Sequence, residues 1–189
     1  MTTPVWVITG LLDSGKTTLI NQLVEQELDE LDILVIQFES GETPLIEQER
    51  VKKMVFSKSQ LEQSPFGIAD IIIHYIDKHS PDLILIEWNG MEHFHKLEEM
   101  LLQFTAKAVL SIEKVVYAAD GASFKARIPD AGAAAFSQIA GSDCAYVRLR
   151  GHRRNRNDMD VLYNCNPDIR VYTSRDRFAR ALFRFGMKP

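Results

Sequence analysis

The sequence contains very little cysteine: Cys144 and Cys165 are the only two in 189 residues. Two thiols cannot form the disulfide framework that stabilises many small secreted domains. Their number therefore excludes a disulfide-rich fold, and we interpret both as small buried residues of a protein in a reducing compartment.

Long hydrophobic runs are also absent. No stretch of about eighteen apolar residues occurs, and this excludes a membrane-spanning helix of ordinary length. An apolar run begins at residue 4, and we therefore expect no signal peptide. The content of hydrophobic (46%) and charged (25%) residues is ordinary for a globular domain. We therefore expect a single cytoplasmic domain over residues 1–189, with no membrane partner.

Acidic and basic residues are unevenly distributed along the chain. Residues 1–147 contain 11 Lys and Arg against 22 Asp and Glu, whereas residues 148–189 contain 11 against 4. A basic segment can bind nucleic acid, but no aromatic stacking pattern or reader motif accompanies this one. We interpret it as a solvated loop or as a patch that pairs with the acidic part of the chain, and we do not expect a nucleic-acid partner.

A phosphate-binding motif stands near the N-terminus. Residues 10–17 read GLLDSGKT, which matches G-x-x-x-x-G-K-[ST]. An apolar β run precedes it and an amphipathic helical pattern follows, which is the strand–loop–helix order that the motif requires. We predict that backbone amides and the Lys16 charge hold the phosphates, and that the Thr17 hydroxyl binds Mg²⁺. The predicted nucleotide-binding residues here are Gly10, Asp13, Ser14, Gly15, Lys16, Thr17 and Thr18.

Short apolar runs alternate with amphipathic segments along the rest of the chain. This pattern predicts a mostly parallel sheet with helices on both faces, the three-layer α/β fold of the P-loop nucleotide hydrolases. The predicted strands are 5–9, 33–38, 83–87, 115–119, 145–149 and 169–172, and the predicted helices are 16–28, 67–79, 95–104, 131–139 and 175–185. Residues 40–66 fit least well, and we interpret them as a switch-like loop or a small excursion.

Ligands of such sheets bind beyond the carboxyl ends of the strands, so the loops there should share one edge. Glu87 ends an apolar strand on that edge, and Gly90 follows three residues later. The acid can hold the Mg²⁺ shell or order the attacking water, and the glycine amide can approach the γ-phosphate. Lys16 and Glu87 are thus the catalytic candidates. Three other acids are either further Mg²⁺ ligands or solvated loop carboxylates: Glu39, Glu42 and Asp120.

These motifs together resemble the CobW-like family of metallochaperone-type P-loop GTPases, which includes the HypB and UreG proteins. The resemblance rests on GLLDSGKTTLIN, QFESGE, IEWNG, VVYAAD and a later Cys-Asn-Pro. It implies a GTPase fold, a GTP ligand with Mg²⁺, and a role in zinc, cobalt or nickel delivery or in metalloenzyme maturation. A client metalloprotein and a second copy of the chain are the implied partners. By the family pattern Lys16 and Thr17 bind phosphate and Mg²⁺, the acidic switch motif falls on Glu39 and Glu42, and the E-x-x-G motif on Glu87 and Gly90.

The chain departs from that family pattern in two places. The C-x-C-C metal motif is absent, because residues 40–81 contain no cysteine. The N-K-x-D motif that reads guanine is also absent, because the predicted strand 145–149 runs into Arg-Gly without an acid. Both GTP and ATP therefore stay open as ligands. The separate C-terminal domain of longer relatives is not present in this sequence.

Two histidines offer a further metal candidate. His93 and His95 follow Gly90 and, two apart in an extended loop, can share one face and bind Zn²⁺, Co²⁺ or Ni²⁺. They are otherwise polar surface residues. The missing motifs also leave an alternative function open, a degenerate nucleotide-binding or protein-interaction module that does not hydrolyse its ligand.

Overall fold

The computed structural model of the chain describes residues 2–38, 41, 43–149 and 156–183, and the side chains of all of these except 156–158. The strands in these ranges are β1 (Thr3–Thr9), β2 (Ile33–Gln37), β3 (Val51–Val55), β4 (Leu83–Glu87), β5 (Leu110–Asp120), β6 (Cys144–Arg148) and β7 (Arg170–Tyr172). The helices are α1 (Lys16–Gln26), α2 (Lys58–Gln63), α3 (Pro65–His79), α4 (Phe94–Ala106), α5 (Phe124–Ala140), α6 (Arg156–Cys165) and α7 (Arg175–Phe183).

One seven-stranded sheet organises the domain, in the order β3-β2-β4-β1-β5-β6-β7. Every neighbouring pair of strands is parallel. Successive residues of a strand face opposite sides, so an unbroken apolar strand must be covered on both. Val5 and Val7 pack with α3 and α4, whereas Trp6 and Ile8 pack with α1 and α7. The three-layer α/β fold predicted from the sequence is confirmed.

The parallel arrangement brings several loops to one edge of the sheet. Ile8 of β1 and Gln37 of β2 both pair in register with Glu87 of β4, and Asp120 of β5 pairs with Arg148 of β6. Strands β1, β2, β4 and β5 therefore end at one carboxyl edge, as predicted, and β6 ends there as well. The order of the strands places β1 and its loop between β4 on one side and β5 on the other.

The segment interpreted as a switch-like loop or excursion contains regular structure instead. β3 adds a parallel edge strand to β2, and Ser57 caps α2 through a reciprocal capping box with Gln60. The sequence pattern missed this strand because it has no buried face: Lys52 and Lys53 are exposed and Val51 is only partly buried. An edge strand without a core face shows no apolar alternation.

Three other elements differ from the sequence prediction. α5 begins at Phe124 rather than at residue 131, and its helical path breaks at Gly132, where φ is 51°. Pro129 and Gly132 hide this helix because both residues normally interrupt one. β5 begins at Leu110 rather than at 115, because partly exposed residues in its first half obscure the strand pattern. α6 was not predicted from the sequence at all.

The two cysteines are unpaired thiols. Cys144 is buried, as predicted, and burial raises its pKa to about 12, so it stays protonated at neutral pH. Cys165 is only partly buried, and burial raises its pKa as well. Among the described residues, no helix combines the length and the apolar composition that crossing a bilayer requires.

Candidate nucleotide-binding site

The motif at residues 10–17 forms a tight loop between β1 and α1. Gly10 adopts a φ of 133°, and a Cβ at this position would lie 2.1 Å from the Ala118 carbonyl oxygen, so only glycine fits. The amide of Ser14 donates to the Leu11 carbonyl, and that of Leu19 to the Gly15 carbonyl, which starts the helix. Gly15 caps α1 without a side chain. The loop therefore leads into a helix N-terminus, where backbone amides favour an anion.

Lys16 is held against this loop. Its Nζ donates to the carbonyl oxygens of Gly10 (3.0 Å) and Leu11 (2.9 Å), and the residue is 3% exposed. These contacts join the first turn of the helix to the start of the loop. The ammonium charge is thus fixed beside the loop backbone.

Thr17 and Glu87 contact each other directly. The Thr17 hydroxyl donates to Glu87 Oε1 at 2.7 Å, and Gln37 Nε2 donates to Glu87 Oε2 at 2.6 Å. Glu87 is 2% exposed, so both carboxylate oxygens are engaged in the interior. The sequence analysis selected Thr17 and Glu87 but missed Gln37. Gln37 could have been selected as a polar residue at the end of an apolar strand. The sheet register places it next to Glu87.

The chain after β4 packs on the phosphate-binding loop. A Cβ at Gly90 would lie 2.7 Å from both the Gly10 oxygen and the Leu12 nitrogen. Any other residue at position 90 would push the two loops apart. The four residues that the sequence analysis linked, Lys16, Thr17, Glu87 and Gly90, are therefore grouped around one loop.

Gln138 of α5 joins the same two loops, and sequence reasoning did not select it. Its Oε1 accepts from the Gly10 amide (3.1 Å), and its Nε2 donates to the carbonyls of Asn89 (3.0 Å) and Glu92 (2.7 Å). The side chain is fully buried. The one available signal was an amide on the buried stripe of α5, beside the apolar Ala135 and Ile139.

We predict that replacing Gln138 with leucine destabilises the domain by about 1–3 kcal/mol, because one amide and two carbonyls lose a buried partner. The free energy of unfolding, measured by urea denaturation, checks this. Gln63→Leu is the matched control: Gln63 is exposed on α2 and bonds only Ser59 among the contacts resolved for it, so its loss should change stability by at most about 0.5 kcal/mol. Equal unfolding free energies for the two variants would show that Gln138 does not hold the loops.

Asp120 and Arg148 lie on the other side of the phosphate-binding loop from Glu87. An Arg148 Nη atom is 3.4 Å from Asp120 Oδ2, and the Ala122 amide donates to Asp120 Oδ1. The arginine also approaches the loop, because a Cβ at Gly15 would lie 3.0 Å from that Nη atom. Strand β1 separates Asp120 from Glu87, so these two acids stand in different parts of the edge.

The other predicted loop residues are less engaged. The Asp13 side chain is exposed and its Oδ2 lies 3.6 Å from Arg127, Ser14 is buried, and Thr18 is partly buried in α1. Glu39 and Glu42 lie outside the described residues. A Cβ at Gly41, which stands between them, would be 3.8 Å from Thr17 Oγ1.

The two histidines occupy the start of α4 rather than an extended loop. His93 is the N-cap and His95 lies in the first turn, with ring centroids 5.2 Å apart. The part of the chain that the structure describes contains no group of three or more His, Cys, Asp or Glu side chains that could hold a metal ion. The rings are therefore close, but no third ligand of these types joins them among the described residues.

Comparison with solved structures shows the same fold in several other proteins. The zinc-bound YjiA GTPase from E. coli superposes with a TM-score of 0.68 at 20% identity, over 93% of this chain and 58% of that one. The hydrogenase maturation factor HypB from Archaeoglobus fulgidus gives 0.59 at 16% identity, over 95% and 88%. The signal recognition particle receptor FtsY from Elizabethkingia anophelis gives 0.56 at 15% identity, over 88% and 56%. At these identities the likeness shows the fold alone.

This chain spans 58% of the length of the YjiA GTPase. A sequence comparison with curated proteins gives no match. The family model of the CobW/HypB/UreG nucleotide-binding domain, however, matches residues 4–148, which is most of the chain and extends from β1 to the end of β6. The chain therefore belongs to the CobW/HypB/UreG family and contains its nucleotide-binding domain.

Proposed function

We propose that this domain binds a nucleoside triphosphate with Mg²⁺ and hydrolyses it slowly, as a switch in metal delivery or metalloenzyme maturation. The observation that carries the proposal is the buried contact between Thr17 and Glu87 beside the loop that holds Lys16. A glycine-rich turn without a ligand has no need of a buried hydroxyl–carboxylate pair next to a buried ammonium, since burying charge is costly.

The donor set suits Mg²⁺. A hydroxyl and a carboxylate provide the hard oxygen ligands that this ion prefers, and they lie within 2.7 Å of each other. We assign Thr17 and Glu87 as the protein side chains that hold it. When bound, Mg²⁺ neutralises charge on the phosphates. Glu39 and Glu42 stay candidates for the same ion.

The chain's own groups perform the rest of the chemistry. The amides at the start of α1 and the Lys16 ammonium bind the phosphates and offset the charge that develops during phosphoryl transfer. Glu87 accepts a hydrogen bond at each carboxylate oxygen, and we propose that it orders water near the phosphate. Gly90 lets the chain after β4 lie on the loop, so a change at the phosphate reaches residues 88–92 through this contact and through Gln138.

The metal-related part of the proposal comes from the family and its neighbours. The YjiA structure is described as zinc-bound, and HypB as a hydrogenase maturation factor. We propose that zinc, cobalt or nickel is cargo here, with a client metalloprotein and a second copy of the chain as partners, in the cytoplasm. His93 and His95 are the residues of this chain to test for such binding. We further propose that residues 1–189 fold as one domain.

Phosphate release tests the enzymatic part. The protein is incubated with GTP or ATP, each with and without Mg²⁺, and inorganic phosphate is measured over time. The proposal expects slow release that needs Mg²⁺. If nucleotide binds but phosphate is released no faster than without protein, the domain is instead a non-hydrolysing module. The absence of the N-K-x-D and C-x-C-C motifs from the sequence favours this alternative.

A further inference from the structure

The phosphate-binding loop contains an acid of its own. Asp13 stands in the middle of the motif with a φ of 54°, in the left-handed region that glycine adopts freely and other residues seldom adopt. Aspartate tolerates this conformation better than most residues do. Its side chain is 77% exposed, so the carboxylate is not part of the core. The loop therefore displays a negative charge at its surface.

This charge works against an anionic ligand. The amides at the start of α1 and the Lys16 ammonium favour a polyphosphate, whereas a carboxylate on the same loop repels it. Asp13 is three residues from Lys16 in the sequence, so both charges act on the same ligand. Without a counter-charge, Asp13 would lower the affinity of the loop for phosphate.

Arg127 provides such a counter-charge from α5. One of its Nη atoms lies 3.6 Å from Asp13 Oδ2. The guanidinium stays protonated at every pH at which the domain is folded. Two neighbours of this arginine on α5, Phe124 and Ile128, belong to the same buried cluster as Leu11 of the loop. The start of α5 is thus anchored beside the loop, and this holds the arginine within reach of the acid.

The other cations beside the loop have different partners. Lys16 donates to loop carbonyls, and Arg148 pairs with Asp120. Within the described part of the chain, the ion pair with Arg127 is the one in which Asp13 takes part. The neutralisation of Asp13 therefore depends on a single arginine.

We propose that Arg127 is a positioning residue of the nucleotide site that acts through Asp13; this rests on the proposed nucleotide binding. It neutralises the carboxylate and holds it aside, so that the loop accepts a polyphosphate. Because the effect concerns the phosphates, it is the same for GTP and ATP. Because it acts through the carboxylate, it disappears when residue 13 carries no charge.

Titration calorimetry with GTP and with ATP, each with Mg²⁺, tests this in three variants. We expect Arg127→Gln to bind both nucleotides roughly 10-fold more weakly than the unaltered chain, because the acid beside the ligand is then unpaired. The loss should shrink as salt is raised, since exposed charges are screened.

Asp13→Asn should bind both nucleotides at least as tightly as the unaltered chain. Asparagine also tolerates the left-handed conformation, so the loop keeps its path. Arg127→Gln added to Asp13→Asn should then change the affinity by less than about 2-fold, because the arginine has lost the charge through which it acts. The substitution at Asp13 thus rescues the loss caused by the substitution at Arg127.

Two matched controls carry the same changes far from the loop. Glu27→Gln removes an acid at the opposite end of α1, where Glu27 forms a long ion pair with Arg175. Arg50→Gln removes an exposed arginine that precedes β3 and donates to the Glu30 carbonyl. We expect both to bind nucleotide within about 2-fold of the unaltered chain. Urea denaturation of every variant verifies that it is folded.

Three results would overturn the inference while nucleotide binding stands. An Arg127→Gln protein that binds as tightly as the unaltered chain shows that the arginine has no role in binding. The same loss with and without Asp13→Asn shows that it contacts the phosphates itself. Weaker binding in both single variants shows that the ion pair only shapes the loop. If no triphosphate binds the unaltered chain, the proposed function falls first and this inference falls with it.

Discussion

Lys16→Ala is expected to lower the affinity for a Mg²⁺ triphosphate by at least roughly 100-fold, because truncating one partner of a buried charge pair costs about 2–5 kcal/mol of binding and each 1.4 kcal/mol is tenfold. The side chain provides a full positive charge that is already positioned beside the loop by the carbonyls of Gly10 and Leu11. Because the group needs little reorganisation, its contribution to binding is not offset by ordering cost. Isothermal titration of the variant with GTP measures the loss.

The same substitution also removes two hydrogen bonds inside the protein, so folding must be measured beside binding. We expect the free energy of unfolding to fall by about 1–3 kcal/mol, since two loop carbonyls lose a charged donor. Lys78→Ala is the matched control, an exposed lysine in the last turn of α3. A folded Lys16→Ala protein that binds GTP as tightly as the Lys78→Ala protein would contradict the role of Lys16.

Glu87→Gln is expected to lower Mg²⁺-dependent phosphate release by roughly 100- to 1,000-fold. The amide retains the size of the side chain and one acceptor for Thr17, but it carries no charge for the metal and puts an NH₂ group beside the NH₂ group of Gln37. Nucleotide affinity without Mg²⁺ should change far less than release. Parallel release assays and metal-free titrations separate the two quantities.

Glu92→Gln serves as the control for that prediction. Glu92 is also a buried acid, 5% exposed, but its carboxylate pairs with Lys96 and faces Lys58 rather than Thr17. We expect release from this variant to keep its dependence on Mg²⁺. If Glu87→Gln hydrolysed as fast as the Glu92→Gln protein, Glu87 would be a structural acid and not part of the catalytic group.

The sequence predicts the strands and motifs that short segments of the chain identify by themselves. The apolar strands β1, β2 and β4 are buried on both faces, so their composition alone identifies them. The phosphate-binding motif at residues 10–17 is recognised by the fixed spacing of its glycines and lysine. Glu87 and Gly90 could be selected because they stand at the carboxyl end of an apolar strand, where parallel sheets bind their ligands. The resemblance to the CobW-like family rests on the same short segments, and the family match over residues 4–148 confirms it.

The parts that could not be predicted depend on contacts between distant residues. Gln138 accepts a hydrogen bond from Gly10, which is 128 positions away in the sequence. No local pattern around either residue predicts this contact. Arg148 lies in the predicted strand 145–149 and begins the basic segment, which was interpreted as a solvated loop or as a patch that pairs with the acidic part of the chain. Only the register of β5 with β6 identifies Asp120 as its partner. β3 was not predicted, because an edge strand with two exposed lysines shows no alternation of apolar and polar residues. Packing, rather than local propensity, sets these positions.

Titration of the unaltered chain with GTP in the presence of Mg²⁺ tests the central claim most directly. If the loop at residues 10–17, with its buried lysine, holds a polyphosphate, the heat of binding must saturate at one nucleotide per chain and the affinity must fall when Mg²⁺ is removed. Absence of any saturable heat at millimolar GTP, and likewise at millimolar ATP, would contradict it.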